Sequence, residues 1–357
     1  MKLIAQVKLV PTEEQNTSLL NTMERVNNAA NFISDIAWET CEFGQYDLHH
    51  LCYATIRERF SLSAQLTVRV IAKVADAYKV DSKTKRVFKS HGAITYDERI
   101  LSWKPSDKTV SIGTITGRQR IPFQAGERQL ALLQTRSGQA DLVLQDGNFY
   151  LYQTCEIEEP PTDYPKGYLG VDFGIVNIAT TSDGTIFAGN HLNSLRSRYA
   201  RLRARLQSKG TKSAKRLLVK RKRKESRFAK QTNHTIAKKL VAVAKDSERG
   251  IALENLKGIR LRTTVRKSSR RQHNSWAFYD LRQKITYKAQ LAGVQVVIVD
   301  PRNTSRTCPS CGNIDKANRP TQSVFKCTAC DFSGHADTIA AGIIAGRAAI
   351  DRPYVSA

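Results

Sequence analysis

Four cysteines near the C-terminus constrain the fold of this chain more than any other feature. They form two knuckles, Cys308-Pro-Ser-Cys311 and Cys327-Thr-Ala-Cys330. Two Cys-x-x-Cys pairs about fifteen residues apart is the spacing that wraps four thiolates around one tetrahedral Zn²⁺. No apolar core calls for four cysteines so arranged. The segment is therefore expected to be a ribbon folded around one structural zinc ion. Cys41, Cys52 and Cys155 are scattered, which suits a reducing compartment better than a disulfide framework.

An acid stands close behind the ribbon. Asp337 follows the second knuckle, and two more acids occupy comparable surroundings upstream: Asp172 in Gly170-Val-Asp-Phe-Gly174 and Glu254 in Ile251-Ala-Leu-Glu-Asn-Leu256. Each ends or adjoins an apolar segment. An Asp after a strand is more often a turn or cap residue, and Asp337 alone could be a favourable acid in the first turn of a helix. Their joint order with the ribbon points to chemistry. Hydrolysis of a phosphodiester needs an activated water and neutralisation of charge on the attacking and leaving oxygens. Two Mg²⁺ ions, or Mn²⁺, about 4 Å apart do both, and such hard cations take carboxylate oxygens.

The charge balance agrees. The 357 residues carry 57 Lys+Arg against 32 Asp+Glu, a formal net charge of +25. A fold does not require that excess, so it describes an anionic partner, with nucleic acid the first expectation. A membrane partner is not expected. The chain has no apolar run of roughly 18 residues, and the apolar stretch within Met1–Lys8 is too short for a signal peptide. The expected location is the cytoplasm, at the nucleoid of a bacterium or archaeon. The densest charge runs from Arg196 to Lys239, peaking at Lys220-Arg-Lys-Arg-Lys224 with few acids to compensate. A phosphate backbone is expected to neutralise it, with Arg201, Arg205, Lys220, Arg221, Lys222, Arg223 and Lys224 as candidate nucleic-acid contacts. A second basic stretch, residues 260–271, is rich in Ser and Thr and reads as a loop. Trp276 and Phe278 read as core.

The texture of the chain changes along its length. Residues 2–10 are β-rich and partly alternating, closed by Pro11; Thr12-Glu-Glu-Gln15 then reads as a capping box opening a helix. Leu19, Leu20, Met23, Val26, Ala30, Ile33 and Ala37 follow at helical spacing, and helical pattern continues through 51–60 and 68–78. From about residue 86 the pattern becomes short strands, 92–96, 100–103, 110–115, 141–144 and 148–156, the last after an Asp146-Gly147 turn. Such strands suggest a small antiparallel barrel that includes residues 2–10, with the helices as an insertion. Glu159-Pro-Pro161 and Pro165-Lys-Gly167 mark the clearest linker. Beyond it the expected order is strands at 168–171, 176–181 and 185–188, helices over 195–245 with a break near Gly210, and a strand ending at Glu254. A helix over 276–291, a strand at 294–299, the knuckles and a helix over 336–349 complete it. This is the order of an RNase H/RuvC-like α/β nuclease domain with a zinc ribbon inserted before its last helix.

Four segments carry a resemblance to a known family. Tyr168-Leu-Gly-Val-Asp-Phe-Gly174, Ala252-Leu-Glu-Asn-Leu-Lys-Gly258, Asp300-Pro-Arg-Asn-Thr-Ser-Arg-Thr-Cys-Pro-Ser-Cys-Gly312 and Phe325-Lys-Cys-Thr-Ala-Cys-Asp-Phe-Ser-Gly-His-Ala-Asp337 resemble the TnpB proteins. These are transposon-encoded relatives of the type V CRISPR effectors. The resemblance is specific over 168–350 and looser before. It implies a single RuvC site, with Asp172, Glu254 and Asp337 as catalytic metal-binding acids, and zinc on Cys308, Cys311, Cys327 and Cys330. Arg319, between the knuckles, resembles an arginine that assists the nuclease centre. The implied partners are a guide RNA from the transposon end and a double-stranded target DNA, bound by a monomer or by a dimer on the RNA. The implied domains are a β-barrel wedge (1–10 and 86–160), a helical recognition insertion (11–85), a RuvC-like domain (166–300 and 333–357) and a ribbon insertion (301–332).

The activity so implied is RNA-guided cleavage of DNA beside a short motif. A guided repressor without cleavage, and a transposase or resolvase acting without RNA, are the alternatives. One departure from the family stands out. Its third acid is usually followed by x-Asn-Ala-Ala, whereas Asp337 is followed by Thr338-Ile339-Ala340-Ala341. Ile339 can neither ligate a metal nor hydrogen-bond, so a weakened site is one expectation. With all three acids present, cleavage remains the main one.

Overall fold

The computed structural model describes residues 1–162, 164–221, 223–256 and 278–350. Trp276, Lys222 and the 260–271 stretch lie outside the described residues. The chain divides into two compact units, Met1–Glu158 and Glu159–Ala357. The division falls at the Glu-Pro-Pro segment.

In the first unit, β1 (Lys2–Leu9) buries Ala5, Val7 and Leu9 and exposes Ile4, the period-2 pattern of a half-buried strand. The chain then leaves the sheet for three helices, α1 (Glu13–Thr40), α2 (Gln45–Phe60) and α3 (Ala64–Val80). The capping box at the start of α1 is formed: Gln15 N–H donates to Thr12 Oγ1 at 3.3 Å, and Thr12 N–H to Gln15 Oε1 at 3.1 Å. Strands β2 (Ile94–Tyr96), β3 (Leu101–Lys104), β4 (Thr109–Thr114), β5 (Gly117–Gln124), β6 (Arg136–Gln145) and β7 (Asn148–Glu156) complete a seven-stranded sheet in the order β2-β6-β7-β1-β5-β4-β3. The sheet curls into a nearly closed barrel, and Trp103 of β3 donates to Gln153 of β7 at 2.8 Å. The Asp146-Gly147 turn has φ of 50° and 76°, the positive pair that a two-residue hairpin needs. Helices and sheet share one apolar core, from Val7 and Met23 to Ile71 and Leu151.

Two elements of this unit have weak sequence signatures. Strand β5 reads Gly-Arg-Gln-Arg-Ile-Pro-Phe-Gln and buries only Ile121 and Phe123. Its polar residues and Pro122 mask the alternation. Helix α4 (Glu127–Gln134) has eight residues and buries only Leu133, so tertiary packing rather than its own periodicity fixes it.

The second unit is a three-layer α/β structure. Its sheet runs β10-β9-β8-β11-β12, from β8 (Tyr168–Asp172), β9 (Asn177–Thr181), β10 (Ile186–Ala188), β11 (Gly250–Glu254) and β12 (Val296–Val299). Strands β8, β11 and β12 are mutually parallel; β9 and β10 are antiparallel additions. Between β10 and β11 come α5 (Asn190–Lys209), α6 (Lys212–Arg221) and α7 (Lys224–Asp246). The break between α5 and α6 is made by Gly210, whose φ of 62° closes α5 with a left-handed cap. Helix α8 (Phe278–Ala292) precedes β12, and α9 (Ala336–Ile350) ends the described chain. Leu169 and Val171 share one core with Leu240 of α7 and Ile285 of α8. Tyr168, Ala252 and Val299 share another with Ile344 and Ala348 of α9. Alternate residues of each central strand therefore serve opposite layers.

Candidate active site

That alternation decides where two of the acids lie. Asp172 has the parity of Tyr168, and Glu254 that of Ala252, so both belong to the face covered by α9. The parallel register pairs Leu253 with Val171, and the next residues are Glu254 and Asp172. The two acids thus stand side by side at the C-terminal ends of adjacent parallel strands, where side chains of an open α/β sheet converge on ligands.

Asp337 reaches the same place because α9 lies unusually close to β8. A Cβ built on Gly170 would stand 1.9 Å from the carbonyl oxygen of Ala341 and 2.8 Å from the amide nitrogen of Ala345. Only glycine admits the helix backbone so close. The helix contributes Ala336, Ala340, Ala341, Ile344 and Ala348 to its buried face, and Asp337 sits one turn before Ala341. The small residues of strand and helix set the distance between the acids.

The electrostatics follow from this crowding. Burial, then the charges of Glu254 and Asp337, push the Asp172 carboxyl up to about 7, against the opposing pull of Arg319 and the Phe173 amide. Burial also raises Glu254, offset by the hydrogen bond from Thr304 and by the charge of Arg347. A carboxyl held protonated by neighbouring carboxylates, as Asp172 is, is short of positive charge. Hard oxygen donors in that condition suit divalent cations. Asp172, Glu254 and Asp337 are the residues that would hold them.

Two of the acids have side-chain partners. Thr304, 4% exposed, donates to Glu254 Oε1. Asn177, at the start of β9, donates Nδ2 to Asp337 Oδ2 at 3.0 Å. Arg319 donates Nη2 to Asp337 Oδ1 at 2.6 Å and to the Gln322 carbonyl at 2.6 Å. The sequence brought Arg319 into consideration through resemblance, whereas Thr304 and Asn177 had no signal of their own. A Thr between an arginine-rich turn and a cysteine, or an Asn opening a strand, becomes meaningful only once the sheet places it.

The four ribbon cysteines converge. Their Sγ atoms all lie within 4.8 Å of one another, with Cys308 and Cys330 at 3.7 Å and Cys311 and Cys327 at 3.6 Å. Four sulfurs about 2.3 Å from a tetrahedral zinc stand about 3.8 Å apart, so the set fits Zn²⁺ and is too open for disulfides. The ribbon is framed by the hairpin of β13 (Val324–Lys326) and β14 (Ser333–His335). Asn318, fully buried, joins the two knuckle segments. Its Nδ2 donates to the carbonyls of Arg306 and Asn313, at 2.9 and 3.2 Å, and its Oδ1 accepts from Thr328 N–H at 2.8 Å. Ile339 packs against the small apolar cluster of Cys308, Phe325, Cys327 and Ala336. Its side chain fastens α9 to the ribbon.

Among the basic candidates, Arg201 and Arg205 lie on α5, Lys220 and Arg221 at the end of α6, and Arg223 and Lys224 at the start of α7; all six are exposed. Lys222 lies outside the described residues. The run is three helices rather than one. Leu206 and Ala214 are buried, and Arg203 pairs with Glu225 at 2.8 Å. Phe278 packs on the core, with its ring 6.3 Å from that of Phe173.

Two family models match the chain. Residues 152–257 match a family described as a probable transposase, and residues 278–344 match the Cas12f1-like TNB domain. A CRISPR-associated endodeoxyribonuclease Cas12f1 of Sulfoacidibacillus thermotolerans is 42% identical over 123 residues, 34% of this chain and 28% of that protein. A putative RNA-guided DNA endonuclease InsQ of Escherichia coli strain K12 is 30% identical over 212 residues, 54% of this chain and 52% of that protein. The matches thus span between about a quarter and a half of those relatives' lengths. Among solved structures, a Cas12f1–sgRNA–target DNA complex superposes with a TM-score of 0.63 at 15% identity, over 94% of this chain and 83% of that one. The mini-RNA-guided endonuclease CRISPR-Cas_phi3 gives a TM-score of 0.60 at 11% identity, over 97% of this chain and 92% of that one. These two likenesses establish the fold.

Proposed function

We propose that this chain is a TnpB-like protein related to the type V effectors, and that it acts as an RNA-guided DNA endonuclease. The observation that carries the reading is the convergence of Asp172, Glu254 and Asp337 at the mouth of a parallel sheet, beside a cysteine cluster with zinc geometry. The names of the relatives, an endodeoxyribonuclease and a putative RNA-guided DNA endonuclease, point the same way.

Asp172, Glu254 and Asp337 would hold divalent cations, Mg²⁺ in the cell, which supply an activated water and neutralise the leaving oxygen. The chain's own residues prepare that site. Thr304 and Asn177 fix two of the carboxylates in orientation, and Gly170 sets the spacing between strand and helix. Arg319, with 24% of its side chain accessible, would meet a phosphate. The exposed bases of α5 to α7 would follow a nucleic-acid backbone by charge rather than sequence, so base pairing by a guide supplies the specificity. One such pocket cuts the two strands in turn. We assign 1–10 and 86–160 as a wedge, 11–85 as a recognition insertion, 301–332 as the ribbon, and the rest after the linker as the nuclease domain. Among the described residues no helix is long and apolar enough to cross a membrane.

The test is made on protein co-expressed with its native flanking locus. RNA that co-purifies is sequenced, and a plasmid matched to it is incubated with the complex and Mg²⁺. Cutting of the matched plasmid that disappears in Asp172→Ala is the expected result. Bound RNA with matched DNA binding but no cutting would make this a guided binder; cutting without RNA would make it a directly acting nuclease.

A further inference from the structure

Asp337 differs from the other two acids in how fully it is engaged. Both of its oxygens accept a hydrogen bond: Oδ1 from the Arg319 guanidinium at 2.6 Å, Oδ2 from the Asn177 amide at 3.0 Å. The Arg319–Asp337 pair is an ion pair in a half-sheltered place, with 24% and 16% of the two side chains accessible. Charge-assisted bonds of this kind are about twice as strong as neutral ones. The same guanidinium charge reaches Asp172 and draws its carboxyl downward. Arg319 therefore supplies part of the positive charge that the three acids require.

A guanidinium at bonding distance from Asp337 Oδ1 puts positive charge where a divalent cation would sit, and the two repel. The reading that the three acids hold divalent cations therefore makes Arg319 a competitor at one of them. We propose that Arg319 is a displaceable latch: it holds the third acid until a backbone phosphate of the incoming strand draws the guanidinium off and opens Oδ1 to metal. The exchange is chemically favourable, because a guanidinium binds phosphate through the same planar fork that binds carboxylate. The latch is mounted on the ribbon. Arg319 follows the short turn Lys316–Asn318, whose Asn318 is buried and bonded to both knuckle segments, and the Gln322 carbonyl steadies its Nη2. Asn177 is a positioning residue on the opposite side. It keeps Oδ2 when Arg319 leaves, so Asp337 retains its direction during the exchange.

The inference rests on the metal-binding reading, and its test separates the two. Mn²⁺ binding is measured by electron paramagnetic resonance on the full chain, with and without a single-stranded (dT)8 oligonucleotide, subtracting Mn²⁺ held by the oligonucleotide alone. Without the oligonucleotide, Arg319→Ala is expected to bind Mn²⁺ about tenfold more tightly than wild type, within the 5–150-fold range of ordinary linkage between sites. Arg319→Lys falls between the two. The oligonucleotide tightens Mn²⁺ binding in wild type by a similar factor and leaves Arg319→Ala almost unchanged. Asn177→Ala does not tighten binding. Arg347→Gln controls for loss of charge alone, since Arg347 acts on Glu254 through its field and bonds the Asp300 carbonyl at 2.7 Å. Its expected change is small beside that of Arg319→Ala.

Unchanged or weaker Mn²⁺ binding in Arg319→Ala would overturn the latch, as would equal tightening in Arg347→Gln. If Asp172→Asn leaves Mn²⁺ binding as in wild type, the metal-binding reading itself falls, and the latch with it.

Discussion

At the scale of the residue, the decisive feature is a carboxyl, Asp172, placed where the charges of Glu254 and Asp337 repel it. Asp172→Ala removes one of the three acids proposed to hold the metal. It should lower matched cleavage at least about a hundredfold, the scale of losing one such group; a cleavage time course on the matched plasmid checks this. The same crowding has a pH signature. Asp172 titrates at about 7 in the folded protein against a usual 3.8, so its ionised form is disfavoured by folding. The sign follows: the protonated carboxyl costs nothing at low pH, stability falls as pH rises from about 4, and the loss is complete above about 7. Its full size is about 4 kcal/mol. In protein freed of divalent cations, Asp172→Asn should therefore melt several degrees higher than wild type at pH 8, with the gap closing towards pH 5. Added Mg²⁺ should reverse the order at pH 8. A gap independent of pH would show that Asp172 is not under this strain.

At the scale of the element, the decisive contact is α9 on β8. A Cβ on Gly170 would meet the Ala341 carbonyl at 1.9 Å, and backbone cannot swing aside as a side chain can. Gly170→Ala should cost roughly 1–3 kcal/mol of stability, the usual penalty of overpacking. It should also lower cleavage more than that loss explains, because Asp337 moves with the helix. Denaturant melts and cleavage rates of the variant, compared at a temperature where both proteins are folded, separate the two effects. The ribbon is the second element that matters. Cys308→Ser should remove zinc, release the segment carrying Arg319 and abolish matched cleavage. The far-ultraviolet dichroism of the sheet and helices should remain, since the ribbon contributes only a two-stranded hairpin.

This scale also shows what was legible in the sequence. The apolar runs that end at Asp172 and Glu254 are buried strands, and such runs declare themselves. The capping box of α1 and the left-handed break at Gly210 were readable for the same reason: local chemistry fixes them. Strand β5 was not readable, because Pro122 and its charged neighbours hide a pattern that only the barrel completes. The partnership of Thr304 with Glu254, and of Asn177 with Asp337, spans 50 and 160 residues of sequence. Nothing local encodes it. Ile339 shows the converse. The departure at that position puts an apolar side chain against the ribbon cluster, and the amide that bonds the third acid comes instead from Asn177.

At the scale of the whole molecule, the excess charge of +25 has a measurable consequence. If α5 to α7 track a phosphate backbone, replacing Arg201, Arg205 and Lys224 by glutamine should weaken RNA and DNA retention without regard to sequence. The slope of log K against log salt should fall by about one for each phosphate contact removed. Affinities measured between low and moderate salt test this; an unchanged slope would place the backbone elsewhere.

The central claim is that base pairing by a bound RNA chooses the cut. The most direct measurement replaces the guide segment of that RNA with an unrelated sequence, reloads the protein, and maps cleavage on a plasmid carrying both targets beside the same flanking motif. Cutting is expected to move wholly to the new target and to be lost in Asp172→Ala. Cutting that stays at the old target, or that proceeds with no RNA bound, would contradict it.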